Sequence, residues 1–158
     1  MNAPAKLNLR NGETRATLAL GLGALAVLVS GWVHFYLYFR GGYRGIAPDS
    51  FAGVTISRSF AVNAIAAVVT AEGVLVSVRW RELRFPAAAA GAGFAVATIV
   101  AYVLSRTVGL LGFEESSTTT YSVIALIAEG IAFVTLAPVA LMGLRDAARQ
   151  RSYRLRSG

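Results

Sequence analysis

Four long apolar segments constrain this chain more than any other feature of its sequence. They cover residues 16–39, 60–78, 86–104 and 121–144, and each contains at most one Asp, Glu, Lys or Arg. A bilayer core about 30 Å thick is crossed by roughly 20 apolar helical residues. Because lipid offers no hydrogen-bond partners, the backbone of such segments is expected to be helical. The sequence therefore predicts an all-α membrane protein with four transmembrane helices.

The composition supports the same class of protein. Of the 158 residues, 56% are hydrophobic and only 15% are charged, with a mean hydropathy of +0.60. Soluble domains carry about 25% charged residues because their surfaces face water. The low charge excludes a soluble enzyme, a coiled coil and a disordered tail. The length and the short connections predict that residues 1–158 form one up-and-down four-helix bundle.

The distribution of the cations predicts the orientation of the bundle. Four spans place both termini and the connection between the second and third spans on one side. That side holds 11 of the 15 Lys and Arg residues, and such an excess is typical of the cytoplasmic side. We therefore expect a multi-pass protein of the plasma membrane, with basic cytoplasmic tails at residues 1–15 and 145–158. The tails are expected to meet anionic lipid head groups rather than nucleic acid.

A secretory signal peptide is the alternative for the first apolar segment, because Lys6, Arg10 and Arg15 precede it. Signal peptides have an apolar region of about 7–15 residues before a small-residue cleavage site. The run here continues from Ala16 to Phe39 and ends in an aromatic cluster that is typical of a membrane interface. Its length favours an uncleaved transmembrane helix.

Three polar side chains are predicted to meet in the outer half of the bundle. His34 and Glu129 fall at similar depths in the first and fourth spans, and Asn63 falls at a similar depth in the second. Ionisable residues at membrane depth are costly and mark functional sites by default. We predict one buried cluster of the three residues, in which a direct His34–Glu129 hydrogen bond is geometrically allowed. Such a cluster fits a structural role and a substrate or proton site equally well.

Glu72 is the other carboxylate within a span. It lies on the opposite face of the second span from Asn63, because nine residues at 100° each end half a turn away. Arg79 follows seven residues later, nearer the cytoplasmic end. We expect a snorkelling or protonated carboxylate that pairs with another helix or with a partner protein. An outward-facing Glu72 would indicate an oligomer or complex interface.

The two outer connections carry opposite charges. Arg44 lies in a glycine-rich stretch after the first span, and Glu114 and Glu115 precede a run of Ser and Thr before the fourth. We expect salt bridges between these connections, and hydroxyl groups that cap the fourth helix. A divalent-cation site on the two glutamates is less favoured, because hard cations take about six oxygen ligands. Arg44, Glu115 and Tyr38, which shares the face of His34, are secondary site candidates.

Small residues recur at four-residue spacing in the third span. Ala87, Gly91 and Ala95 form this pattern, which continues to Thr98 and Tyr102. A small-xxx-small pattern is typical of helices that pack closely in membranes. We therefore interpret this face as a packing surface rather than a ligand site.

Short motifs are spread over the spans and the outer connections. The first span ends in His34-Phe35-Tyr36-Leu37-Tyr38, and Gly42-Tyr43-Arg44-Gly45-Ile46 follows; the other motifs are Phe60-Ala61-Val62-Asn63, Gly112-Phe113-Glu114-Glu115 and Glu129. This set resembles a family of small four-span membrane proteins common in actinobacteria. Ser57-Arg58-Ser59 departs from the more apolar lead-in of that family. The resemblance implies the four-span fold and singles out the same polar residues, but it implies no reaction.

The residues that are missing narrow the classes of function. The chain has no cysteine and one histidine, which excludes disulfides, thiolate metal sites and a bis-histidine haem within one chain. No nucleophile–base pair, phosphate-binding loop or metal signature appears, so we predict no cofactor and no catalytic residue. We favour a non-enzymatic accessory or scaffolding subunit, in a homo-oligomer or a larger membrane complex. The alternative is a small transporter or a proton- or ion-conducting protein that uses His34, Asn63 and Glu129.

Overall fold

The computed structural model describes residues 3–46 and 49–156, which form four long α-helices. The helices are α1 (Ala3–Arg40), α2 (Ile56–Arg79), α3 (Arg84–Thr107) and α4 (Thr120–Arg156), with one 3₁₀ turn at Arg81–Leu83. The described residues contain no strand beyond two isolated β-bridges in the connections. The all-α prediction is therefore confirmed.

Each helix contains a segment that is long and apolar enough to cross a bilayer. These segments are Gly12–Arg40, Ile56–Arg79, Arg81–Thr107 and Thr120–Arg149, which is consistent with a multi-pass membrane protein. Helices α1 and α4 continue into the regions that we predicted as tails. Ala, Leu, Lys, Arg and Gln in these regions are good helix formers, whereas hydropathy marks only the part of a helix that suits lipid. The apolar runs therefore underestimated the lengths of both helices.

The helices form a ring in which α1 lies beside α2 and α4, and α3 packs against α4 and, with less contact, against α2. Glu13 of α1 forms an ion pair with Arg81 in the α2–α3 connection. At the other end, Tyr43 after α1 donates a hydrogen bond to Glu115 before α4. Successive helices therefore run in opposite directions. We call the end with the α1–α2 and α3–α4 connections the loop end, and the opposite end the terminal end.

The centre of the bundle is filled mainly by alanine, so the helices approach closely. Leu20, Val27, Val74 and Leu136 are the large side chains at the centre of this core, and each is fully buried. Gly91 lies directly against Leu136, where a Cβ atom would have no room. The packing role predicted for this face of α3 is confirmed over its terminal-end half.

Hydroxyl side chains set the positions at which α2 and α4 begin. Thr55 Oγ1 accepts the backbone N–H of Arg58 at 3.2 Å, and Thr119 Oγ1 accepts that of Ser122 at 3.1 Å. Each bond satisfies one of the amides that the first turn of a helix leaves without a partner. The cap predicted for the fourth helix is confirmed.

Candidate functional site

A cavity of about 140 Å³ lies between the helices near the loop end. Residues of all four helices line it. The cavity lies beside the loop-end halves of α2 and α3, which contact each other less than any other pair of neighbouring helices in the ring. His34, Asn63 and Glu129, which the sequence predicts to cluster, all line this cavity. The other polar lining residues are Tyr43, Ser59, Thr98, Tyr102, Ser105, Glu115 and Ser122.

Ser30 connects His34 to Glu129. The Ser30 hydroxyl donates to Glu129 Oε1 at 2.8 Å, and the Ser30 carbonyl accepts a hydrogen bond from His34 Nδ1 at 2.9 Å. Because a carbonyl oxygen only accepts, Nδ1 carries the proton, and Nε2 of the neutral ring is an acceptor. Within the described part of the chain no direct hydrogen bond joins His34 to Glu129, so the contact that the sequence allows is replaced by this Ser30 bridge.

Asn63 contributes a buried acceptor that has no partner. Its Oδ1 atom is inaccessible to solvent, and no hydrogen bond reaches it from any residue that the structure describes. Buried polar atoms in native proteins are nearly always hydrogen-bonded, and leaving one unpaired costs about 1–3 kcal/mol. The side chain of Asn63 is therefore held at the cavity wall at a cost that a bound donor would remove.

The two connections close the cavity at the loop end. The Tyr43 hydroxyl donates to Glu115 Oε2, and the Tyr43 ring packs between Phe60 and Phe113, with centroid distances of 4.3 Å and 5.8 Å. Burial, together with the hydrogen bond to the Glu115 carboxylate, raises the pKa of the Tyr43 phenol well above its ordinary value. Arg106 also donates to the backbone carbonyl of Glu115 at 2.8 Å. Tyr43 is thus a stable donor that ties one connection to the other.

The predicted salt bridges between the connections are not formed among the described residues. The charge of Glu115 is met by Tyr43 and by the amide and hydroxyl groups of Ser117. Arg44 is exposed, and its guanidinium carbon lies 5.9 Å from the centroid of the Phe39 ring. Tyr43 rather than Arg44 therefore joins the two connections, because the Arg44 guanidinium lies near the Phe39 ring at the end of α1.

A second, shallower concavity lies on the outside of the bundle between α1 and α2. This groove encloses about 680 Å³ and is lined almost wholly by apolar and aromatic side chains. Tyr38 lies in the groove rather than in the cavity, so the structure separates it from His34. The other lining residues are Leu28, Gly31, Trp32, Phe35, Phe39, Ala61, Ala64, Ile65, Val68 and Val69.

Glu72 is exposed on the outer surface of α2 and takes no part in the cavity. Measured along the helix at 1.5 Å per residue, it lies about 24 Å from Ile56 and about 10 Å from Arg79. Large apolar side chains surround it on this surface, among them Val69 with 63% and Leu75 with 49% of their areas exposed. A single carboxylate thus lies on an otherwise apolar face, within a segment that is long and apolar enough to span a membrane.

Sequence reasoning missed part of the cavity wall. Tyr43 and Phe113 were noted only as motif residues, and Thr98 and Tyr102 only as a continuation of the packing face of α3. No local signal could have paired Tyr43 with Glu115, since 72 positions separate them. A change from alanine and glycine to Thr98 and Tyr102 along one helix face is the signal that could have indicated the cavity.

The fold is a bundle of four helices that are each long and apolar enough to span a membrane, with a partly open pocket of apolar and polar side chains near one end. No protein-family model, curated protein or solved structure matches the chain. Among the described residues no group of three or more His, Cys, Asp and Glu side chains is placed to hold a metal ion.

Proposed function

We propose that the protein is a non-enzymatic accessory or scaffolding subunit of a membrane assembly, with a partner covering the outer face of α2. It would lie in the plasma membrane as a multi-pass protein. Both termini would be cytoplasmic, and the basic tails would lie against anionic lipid head groups. The observation that carries this proposal is the exposed carboxylate of Glu72.

A carboxylate at this depth is unfavourable in contact with lipid alone. Insertion measurements assign about 2.5–3.5 kcal/mol to an acidic residue at the centre of a membrane helix, and such residues face other protein groups in most structures. Glu72 has no hydrogen bond or ion pair with any other residue that the structure describes. A donor or a cation on a partner helix would offset this cost.

The groove between α1 and α2 continues the same face toward the loop end. Ile65, Val68 and Val69 line the groove and lie one to two helical turns from Glu72 along α2. Helix association in membranes depends on close van der Waals packing together with polar contacts. A partner helix seated in the groove would contact Glu72 one to two turns further along. The groove and Glu72 therefore form one continuous contact surface in this proposal.

Purification in mild detergent tests the accessory role. The wild-type protein is expected to retain one or more partner proteins in fixed stoichiometry, and Glu72→Leu to lose them. Glu82→Leu is the control, because Glu82 is also exposed but lies in the 3₁₀ turn at Arg81–Leu83, at the very start of its apolar segment. Recovery of a clean monomer from wild-type membranes, or equal recovery of partners with Glu72→Leu, would contradict the proposal.

The cavity favours a second candidate, a small transporter or a proton- or ion-conducting protein. His34, Asn63 and Glu129 line a space that is large enough for about four or five water molecules at 30 Å³ each. This candidate predicts that a flux across vesicles reconstituted with the protein is lost in His34→Ala. Unchanged flux in that variant, or no flux above that of empty vesicles, would remove the candidate.

Membership of the actinobacterial family stays a prediction based on the short motifs. The placement of Tyr43, Asn63, Phe113, Glu115 and Glu129 around one cavity supports it, because residues from separate motifs line a common space.

A further inference from the structure

We infer that the loop-end cavity binds the ammonium group of a small organic amine. Four observations carry this inference: the balance of donors and acceptors in the wall, its charge, its aromatic rings and its size. The inference does not depend on the proposed partner, whose contact surface lies on the outside of α2.

The polar atoms of the wall are mainly acceptors. With Nδ1 donating to Ser30, Nε2 of His34 is an acceptor without a partner in the described residues, and Oδ1 of Asn63 is a second one. Glu129 Oε1 accepts from Ser30, and no described residue donates to Oε2. A bound molecule with several N–H donors would complete this set.

Three hydroxyl groups of the wall add further acceptors because their protons are already used, whereas the Tyr102 hydroxyl and Asn63 Nδ2 are donors that no described residue accepts from. Ser59 donates to the carbonyl of Ile56 at 2.6 Å, Thr98 to that of Phe94 at 2.5 Å, and Ser105 to that of Tyr102 at 2.8 Å. A hydroxyl group that donates to its own helix keeps two lone pairs for other partners. The acceptors of the wall outnumber these donors, so the wall suits a ligand with several N–H groups.

The charged side chains that line the cavity are acidic, which suits a cationic ligand. Glu115 and Glu129 both line the cavity, and no Lys or Arg is found among its described lining residues. An anionic ligand would meet two carboxyl groups and no cation in the lining itself, since Arg106 lies next to Glu115 but outside the lining, whereas an ammonium ion would be attracted to an ionised carboxylate. The rings of Tyr43, Phe60 and Phe113 also line the cavity and offer apolar surface to the carbon atoms of such a ligand.

The size of the cavity limits the ligand. An engineered cavity of about 150 Å³ in another protein holds a benzene molecule, so about 140 Å³ suits a ligand of roughly five to seven non-hydrogen atoms. An ammonium ion with a short alkyl chain fits this space, with its charge near Glu129 and its carbons against the aromatic rings. A bare alkali-metal ion would leave much of the space and the apolar part of the wall unused.

The probe for the test is n-butylammonium, with butyrate and 1-butanol as ligands of similar size and different charge. Binding is measured by calorimetry and thermal unfolding on the full-length protein in phosphatidylglycerol nanodiscs. We expect n-butylammonium to bind and raise the Tm, 1-butanol to bind at least tenfold more weakly, and butyrate to give no shift. Equal or tighter binding of butyrate, saturation by Na⁺ or K⁺ alone, or no Tm shift with the amine would overturn the inference.

Two variants separate binding from folding. Glu129→Gln keeps an oxygen that accepts from Ser30, so the fold is expected to persist while the affinity for n-butylammonium falls at least tenfold. Asn63→Leu removes a buried acceptor without a partner, so the ligand-free protein should be as stable as wild type or more stable, with at least tenfold weaker binding. The control is Thr135→Val, because Thr135 is absent from the cavity wall and donates within α4. Wild-type affinity in both cavity variants would overturn the inference.

The ammonium group has two sources, a free amine and a phosphatidylethanolamine head group. Nanodiscs that contain phosphatidylethanolamine distinguish them. If the lipid raises the Tm and competes with n-butylammonium, the head group is the ligand; if the soluble amine binds unchanged, a free amine is the ligand. Both results support an ammonium site.

Discussion

The hydroxyl group of Ser30 on α1 donates a hydrogen bond to Oε1 of Glu129 on α4 at 2.8 Å, and both residues are buried. This contact fixes the carboxyl group at the wall of the loop-end cavity. Because the Ser30 carbonyl also accepts from His34, one residue orients the side chains of both His34 and Glu129.

The Ser30–Glu129 contact predicts a loss of stability in Ser30→Ala. The variant leaves a buried carboxyl oxygen without its donor, so the free energy of unfolding is expected to fall by about 1–3 kcal/mol. The matched control is Ser77→Ala, because Ser77 is also fully buried but donates only to Val74 of its own helix. Unfolding in detergent measures both variants. Equal losses would show that the contact between the helices contributes nothing specific.

A close approach of α1 and α2 at Gly31 predicts a second loss of stability. A Cβ atom on Gly31 would overlap the Cβ of Ala67, which is attached to the backbone and cannot rotate away. Gly31→Ala is therefore expected to push the helices apart and to lower the free energy of unfolding by about 1–3 kcal/mol. Gly21→Ala in the same helix meets no atom within 4 Å, so the higher helix propensity of alanine should leave stability unchanged or raised. The account of the helix packing would be wrong if the two substitutions had the same effect.

The Tyr43–Glu115 hydrogen bond predicts a defined pH dependence. The pKa of Tyr43 is raised in the folded protein, so the folded state keeps a proton that the unfolded state loses near pH 10. Stability from this group is therefore complete below pH 10 and declines as the pH rises above it. Thermal unfolding of wild type and Tyr43→Phe should show a constant difference in Tm from pH 7 to about pH 10 and a shrinking one above. A difference that grows above pH 10 would contradict the assigned direction.

Much of the fold follows from the hydropathy of the sequence. The four apolar runs predict four helices because hydrogen-bonded helices are the simplest way for each run to satisfy its backbone in lipid. The ends of α1 and α4 could not be predicted in this way, since hydropathy does not mark a helix that continues beyond its apolar segment. The N-caps at Thr55 and Thr119 are formed by the hydroxyl groups of these residues. Only the cap of α4 was predicted, because a run of Ser and Thr precedes that helix.

The polar residues of the site were predicted from their depth along the helices, but the hydrogen bonds between them were not predicted. Depth along each helix identified His34, Asn63 and Glu129, which line one cavity. Depth does not give the rotation of one helix against another, so it could not show that Ser30 bridges two of these residues. The opposite charges of the connections suggested salt bridges, but shape decided the contact, because the ring of Tyr43 fills the space between Phe60 and Phe113.

The outward position of Glu72 leads to the most direct test of the proposed function. The chain has no cysteine, so Val69→Cys and Val134→Cys each introduce a single site for a photoreactive maleimide. The two valines are 63% and 68% exposed, and each lies about 20 Å along its helix from the loop end. Val69 lies on the face of Glu72, whereas Val134 lies on α4, across the ring from α2. Cross-linking in native membranes is expected to give one discrete adduct with a partner from Val69→Cys and none from Val134→Cys. No adduct at Val69, or the same adducts at both sites, would contradict the account.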